Sequence, residues 1–147
     1  MASARILMHD SHASIEGRDG AQNVLLDEVQ QIFIVYRENA LFEGEEPFFV
    51  VLFPQMVWVI PGFEADIQPF LEKVARIAQT RSGIFRATIA SLPRTWRRRA
   101  LGLFPVFSEV ELGAHPTATV PPWKTEGPLD LTSAHELGLS KIAFNRR

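Results

Sequence analysis

Two apolar runs stand out in the hydrophobic pattern near the middle of the chain. Residues 48–53 and 56–60 contain only apolar side chains, mostly Phe, Val and Ile, and Pro54 and Gln55 separate them. Each run has the length of an ordinary strand, about 5–6 residues. Because both faces of each run are apolar, each strand must be covered on both sides. The pattern therefore predicts a buried central hairpin over residues 48–60.

A helical pattern follows the hairpin. Apolar residues recur there at spacings of three and four, which places them on one stripe of a helix. The stripe consists of Ile67, Phe70, Leu71, Val74, Ile77 and Ala78, whereas Gln68, Glu72, Lys73, Arg76 and Gln79 are expected to face away. Asp66 is the predicted N-cap, and Pro69 falls in the first turn, where proline is tolerated. The sequence predicts one long amphipathic helix over residues 67–81, packed on one face of the hairpin.

Weaker patterns precede this unit. Residues 4–8 predict a short strand, and the polar, glycine-containing residues 10–23 predict a loop, so that residues 1–22 are expected to be flexible. A turn or short helix is predicted before Gln30, followed by a strand to about Arg37. An acidic loop then leads to the hairpin.

The chain after the helix is more varied. Residues 84–90 alternate as in a strand with one wet face, residues 92–101 predict a short helix begun by Pro93, and residues 106–112 predict a further strand. Leu92, Trp96 and Ala100 are expected to point inward. Prolines are then frequent, at positions 116, 121, 122 and 128. Residues 113–147 are therefore predicted to form an extended segment that wraps the surface, anchored by Trp123.

Together these elements predict a single α+β domain over residues 1–147. Its sheet is expected to be mainly antiparallel, with five or six strands, the helix on one face, and short helices and a proline-rich tail on the other. If the chain cannot cover both faces of the hairpin, a partner subunit must, so a homodimer is a reasonable expectation.

Composition narrows the class of protein. A hydrophobic content of 46% and a charged content of 22% are typical of a folded globular chain. The sequence contains no cysteine, which excludes disulfides, cysteine nucleophiles and cysteine zinc sites. Residues 1–10 do not resemble a secretory signal, and the apolar residues 48–60 are too few to cross a membrane. We expect a cytoplasmic protein without a transmembrane segment and without a cofactor.

Charge is unevenly distributed along the chain. Residues 1–72 hold three Lys or Arg against twelve Asp or Glu, a net charge of −9, whereas residues 73–147 carry a net charge of +7. The two halves either neutralise each other across the fold or form an acidic and a basic face, and separate faces would steer a charged partner.

Two kinds of active or binding site are open as alternatives. Arginines flanking a tryptophan could contact phosphates and stack a base in nucleic acid or another anionic ligand, and the residues concerned are Arg94, Trp96, Arg97, Arg98 and Arg99. A small metal-dependent hydrolase could instead use His9, His12 and His115, because catalytic zinc takes three protein ligands. The common helical zinc motif, the glycine-flanked serine of hydrolases and the phosphate-binding glycine loop are all absent.

The leading interpretation is a non-catalytic binding or accessory module that binds, neutralises or chaperones another protein. Trp123 in the proline-rich segment offers an extended apolar surface, and Glu43, Glu45 and Glu46 offer an acidic one. Trp123 also has a purely structural interpretation, as the anchor of a strap on its own core. The sequence contains no recognisable active site, so catalysis is not the expected function.

Overall fold

The two apolar runs form the middle of a six-stranded sheet. The computed structural model describes residues 5–17, 20–37, 47–62, 67–97 and 110–130. Within these ranges the chain forms nine strands in two sheets, one α-helix of 12 residues and short 3-10 turns, an α+β fold. In chain order the strands are β1 (Arg5–Met8), β2 (His12–Gly17), β3 (Gly20–Leu25), β4 (Gln31–Arg37), β5 (Phe48–Leu52), β6 (Met56–Ile60), β7 (Gly83–Ile89), β8 (Gly113–Pro116) and β9 (Lys124–Leu129), and the helix is α1 (Gln68–Gln79).

The large sheet has the order β8-β6-β5-β4-β7-β9. Its neighbours pair in antiparallel fashion except β4 and β7, which are parallel and are connected through β5, β6 and α1. The predicted hairpin occupies β5 and β6, and a hydrogen bond from Phe53 N to Met56 O closes its turn. The expectation of a mainly antiparallel sheet with a buried central hairpin is confirmed.

Side chains of the central strands alternate between two separate hydrophobic clusters. One face of the large sheet, here called the helix face, packs against α1 and the small sheet through Ile32, Ile34, Phe49, Val51, Trp58 and Ile60. The opposite face, here called the strap face, carries Phe33, Val35, Val50, Val57, Val59 and Ala87. The chain itself covers both faces, so the hairpin does not require a partner subunit for burial.

Helix α1 is shorter than predicted, and its buried side includes more residues than the predicted stripe. It begins at Gln68, with Ile67 in the cap position, and ends at Gln79. The predicted cap Asp66 lies outside the described residues. Gln68, expected to face solvent, is only 2% exposed, whereas Ile77 is half-buried. The reason is that Gln68 shares a stripe with Leu71, Ala75 and Ala78, all of which are buried.

Of the small sheet, only the first strand was predicted, over residues 4–8. Strands β1, β2 and β3 form an antiparallel meander, and Ala13 and Ile15 on β2 are buried in the cluster of the helix face. The prediction of a flexible loop over residues 10–23 is therefore wrong. Only two residues of β2 reach the core, and most of β3 is exposed, so the hydrophobic pattern here is weak. Gly20 begins β3 with φ +96°, a conformation that favours glycine.

The C-terminal part of the described chain holds both edges of the large sheet. Strand β8 lies beside β6, β9 lies beside β7 at the other edge, and residues 117–123 cross the strap face between them. The predicted extended tail is thus partly strand, since residues 113–116 and 124–129 are edge strands, and residues 131–147 lie outside the described ranges.

The predicted short helix over residues 92–101 is also corrected. Only Arg94–Trp96 form a 3-10 turn, because Arg97 is extended, with ψ 144°, and pairs with Val110. Residues 98–109, which include Ala100 and most of the predicted strand over residues 106–112, lie outside the described ranges. Among the described helices none is long and apolar enough to cross a membrane.

Candidate functional site

Trp123 packs on the strap face. Its ring lies 4.7 Å from that of Phe33 and 6.4 Å from that of Trp96, centroid to centroid, and it is half-buried against this cluster. This placement is that of an anchor holding residues 117–123 on the sheet. The other members of the predicted protein-binding surface, Glu43, Glu45 and Glu46, lie outside the described residues.

The arginine segment offers less to a nucleic acid than its sequence indicated. Trp96 is fully buried, and its indole Nε1 donates a hydrogen bond to Thr119 Oγ1 at 3.1 Å, so it has no free face on which a base could stack. Arg94 is exposed, and Arg97 is partly buried, with an Nε that finds no acceptor among the described residues. Arg98 and Arg99 lie outside the described ranges.

The three histidines of the metal alternative do not converge. His9 and His12 are stacked on the small sheet, with ring centroids 4.6 Å apart. His115 on β8 is paired with Val57 and lies near Trp96, which places it on the strap face, across the large sheet from the small sheet. Within the described ranges no group of three or more His, Asp or Glu residues could hold a metal ion.

Tyr36 and Arg86 form a charged contact on the helix face. The guanidinium carbon of Arg86 lies 4.5 Å from the centroid of the Tyr36 ring, a cation–π distance. Burial raises the pKa of Tyr36 above its ordinary value of 10.0, and the positive charge of Arg86 opposes that rise. Burial is the larger of the two effects, so the pKa stays above 10.0 and the phenol is neutral at physiological pH.

A groove lies between the small sheet and the turn of the β5–β6 hairpin. Its volume is about 640 Å³, and it is lined by residues 23–25 of β3, Glu28, His12 and residues 53–56 of the turn. This volume lies within the range of ligand pockets in general, about 300–1,000 Å³. Leu25 is 51% exposed, the most exposed large apolar side chain among the described residues. The groove is therefore a candidate binding site that side-chain patterns alone did not indicate.

Strand β3 also presents an open edge. It pairs with β2 on one side, and no described strand pairs with its other side. Leu26 N donates to Ser11 O, so Ser11 and Leu26 form a hydrogen-bonded pair. The next pair along the ladder, His12 and Leu25, is therefore a non-bonded one. Since bonded and non-bonded pairs alternate along an antiparallel ladder, the backbone groups of Gln22 and Val24 point to β2. Those of Ala21, Asn23 and Leu25 consequently point away from the sheet.

The other sheet edges in the described chain are better protected. Strand β1, the other edge of the small sheet, has only four residues and begins with the charged Arg5. Strand β9 contains Pro128 and the charged Lys124 and Glu126, and β8 has only four residues and ends at Pro116. Prolines, charges and short length all discourage strand addition. Strand β3 has six residues, Gly-Ala-Gln-Asn-Val-Leu, with no charge and no proline. It is therefore the edge most open to a further strand.

One local signal could have revealed this hairpin. Asp19-Gly20 is a dipeptide typical of turns, and the chain reverses between the paired residues Gly17 and Gly20. The openness of the edge itself leaves no such signal, because it depends on which strands lie beside β3.

Comparison with known proteins adds no family to these observations. No family description matches the chain, and no curated protein or solved structure matches it.

Proposed function

We propose that this protein is a non-catalytic binding module that takes an extended segment of another protein as an additional strand along β3. The observation that carries the proposal is the uncharged, exposed edge of β3, three residues of which line the groove. Edge addition of this kind is a recurring mode of peptide recognition, in which main-chain hydrogen bonds supply affinity and flanking pockets supply specificity.

The free groups on β3 suit a main chain better than a small molecule. Ala21, Asn23 and Leu25 each offer one N–H and one C=O, spaced by two residues, as a neighbouring strand requires. Side chains of an added strand alternate in direction, so every second one can enter the groove between Leu25 and Met56. These apolar walls would bury the side chains that the backbone pairing brings to them.

A matched pair of variants at Asn23 tests the proposal. Asn23→Pro removes the outward N–H without removing a bond to β2, whereas Asn23→Ala removes the same side chain and keeps the N–H. We would select unconstrained phage-displayed heptapeptides on the wild-type protein and measure the Kd of synthetic copies. Binding is expected to weaken roughly tenfold in Asn23→Pro, which corresponds to about one hydrogen bond, and to stay within about twofold in Asn23→Ala.

Hydrogen exchange locates the bound peptide. The amides of Ala21, Asn23 and Leu25 should exchange quickly in the free protein and become protected when the peptide is added. Equal affinity of both variants, no enrichment of any peptide, or protection confined to other residues would overturn the proposal. A purified dimer that Asn23→Pro dissociates would also overturn it, because a second copy of the chain would then occupy the edge.

A further inference from the structure

The surroundings of β3 are acidic although the strand itself is uncharged. Over residues 5–17 and 20–29 the chain carries four carboxylates, Asp10, Glu16, Asp27 and Glu28, against the single cation Arg5. Arg5 lies 3.6 Å from Glu16, an ion pair at the far side of the small sheet. The charge that remains is therefore negative and lies towards the end of β3 that carries Leu25.

Asp27 and Glu28 follow directly after Leu25, in the 3-10 turn Leu26–Glu28, and both are exposed. Within the described ranges neither forms an ion pair, although two cations lie on neighbouring elements. Lys73 donates to Asp10 O at 2.9 Å, and Arg81 donates to Val29 O at 3.3 Å, so each is bound to a backbone carbonyl. Glu28 lines the groove, and no Lys or Arg does.

We infer that the segment bound along β3 carries a cationic side chain, Lys or Arg, at the end that passes Leu25 and reaches Asp27 and Glu28. This inference rests on the proposed function and specifies the chemistry of its partner. An extended chain advances about 3.3 Å per residue, so one or two residues beyond the pair with Leu25 reach the turn that carries both carboxylates. An anionic residue at that end would instead meet like charges.

Changing the charge of the peptide end and of Glu28 tests the inference. The probes are synthetic peptides whose binding is weakened by Asn23→Pro. They are compared in pairs that differ only at the first or the last position, where one peptide has Lys and the other has Glu. The Lys peptide is expected to bind wild type more tightly, by about 1.5- to 5-fold for each exposed ion pair. Glu28→Gln should reduce this preference and Glu28→Lys should reverse it, whereas Glu111→Lys, at an exposed site outside the groove, should leave it unchanged.

The results separate this inference from the proposed function. Peptides that lose affinity in Asn23→Pro but show no Lys preference, or a preference that Glu28→Lys leaves intact, would overturn the inference while the strand-addition proposal stands. If no peptide depends on Asn23, both fail together. The terminal position that responds also gives the direction of the bound strand, since only one end can lie beside Glu28.

Discussion

Tyr36 is the one tyrosine in the sequence, so its ionisation can be followed directly by tyrosinate absorbance. Because burial raises the pKa of Tyr36, its titration should occur above 10.0 in the folded protein. Arg86→Gln should raise that pKa further, because it removes the opposing positive charge. A midpoint at or below 10.0, or a lower midpoint in Arg86→Gln, would contradict the contact described here.

The same shift makes stability depend on alkaline pH. A folded-state pKa above the unfolded value means that the folded protein holds this proton more tightly. The contribution of neutral Tyr36 is therefore complete below about pH 10 and is lost as the pH rises through the folded-state value. In Tyr36→Phe, the free energy of unfolding measured with urea should therefore fall less than in wild type as the pH rises through that value.

Trp123 allows a second test at the scale of one side chain. Its contacts with Phe33 and Trp96 predict that Trp123→Ala lowers the free energy of unfolding by about 2 kcal/mol, less than for a fully buried tryptophan. Thr125→Ala, at an exposed position of β9, should change it by less than about 0.5 kcal/mol. An unchanged urea midpoint in Trp123→Ala would show that its ring is not an anchor of the fold.

At the scale of the element, β3 has an inner and an outer side, and two proline substitutions distinguish them. Gln22→Pro removes an N–H that bonds to β2 and should cost roughly 1–3 kcal/mol of unfolding free energy, whereas Asn23→Pro should cost at most about 1 kcal/mol. Both positions are exposed, so the difference reports the backbone alone. Chemical denaturation of the two variants measures it, and the opposite order would mean that the register of the open edge is shifted by one residue.

Elements could be predicted from sequence where their side chains are buried. The hairpin over residues 48–60 was predicted because both of its faces are apolar, and each face now lies in a separate core. Strand β2 shows only Ala13 and Ile15 between His12, Ser14 and Glu16, too short an alternation to outweigh the polar residues around it. Exposed elements are harder to predict, because the hydrophobic pattern reflects the burial of side chains and not the pairing of strands.

The candidate site was harder to predict than the fold for a related reason. Its binding groups are backbone amides and carbonyls on β3, which every sequence possesses. They become available only because no described strand lies beside them. Trp96 shows the converse case, since its neighbourhood of arginines indicated a ligand, yet its ring belongs to the core.

At the scale of the whole molecule, both halves of the chain contribute strands to the large sheet but differ in the layers that cover it. The first half supplies the three middle strands, β4, β5 and β6. The second half supplies β8 on one side of them and β7 and β9 on the other. The small sheet, the acidic turn Leu26–Glu28 and α1 cover the helix face, whereas the turn Arg94–Trp96 and residues 117–123 cover the strap face. In the described chain the covering layers thus retain part of the charge asymmetry that the sequence shows.

The division of the core into two faces also divides the fluorophores. Trp58 stacks on Phe70 of α1, whereas Trp96 and Trp123 lie together across the sheet. Replacing Trp58 by phenylalanine would leave fluorescence from one layer only, and replacing the other two would leave it from the opposite layer. The molecule thus contains two optical reporters, and whether their unfolding curves coincide tells directly if both layers separate from the sheet in one cooperative step.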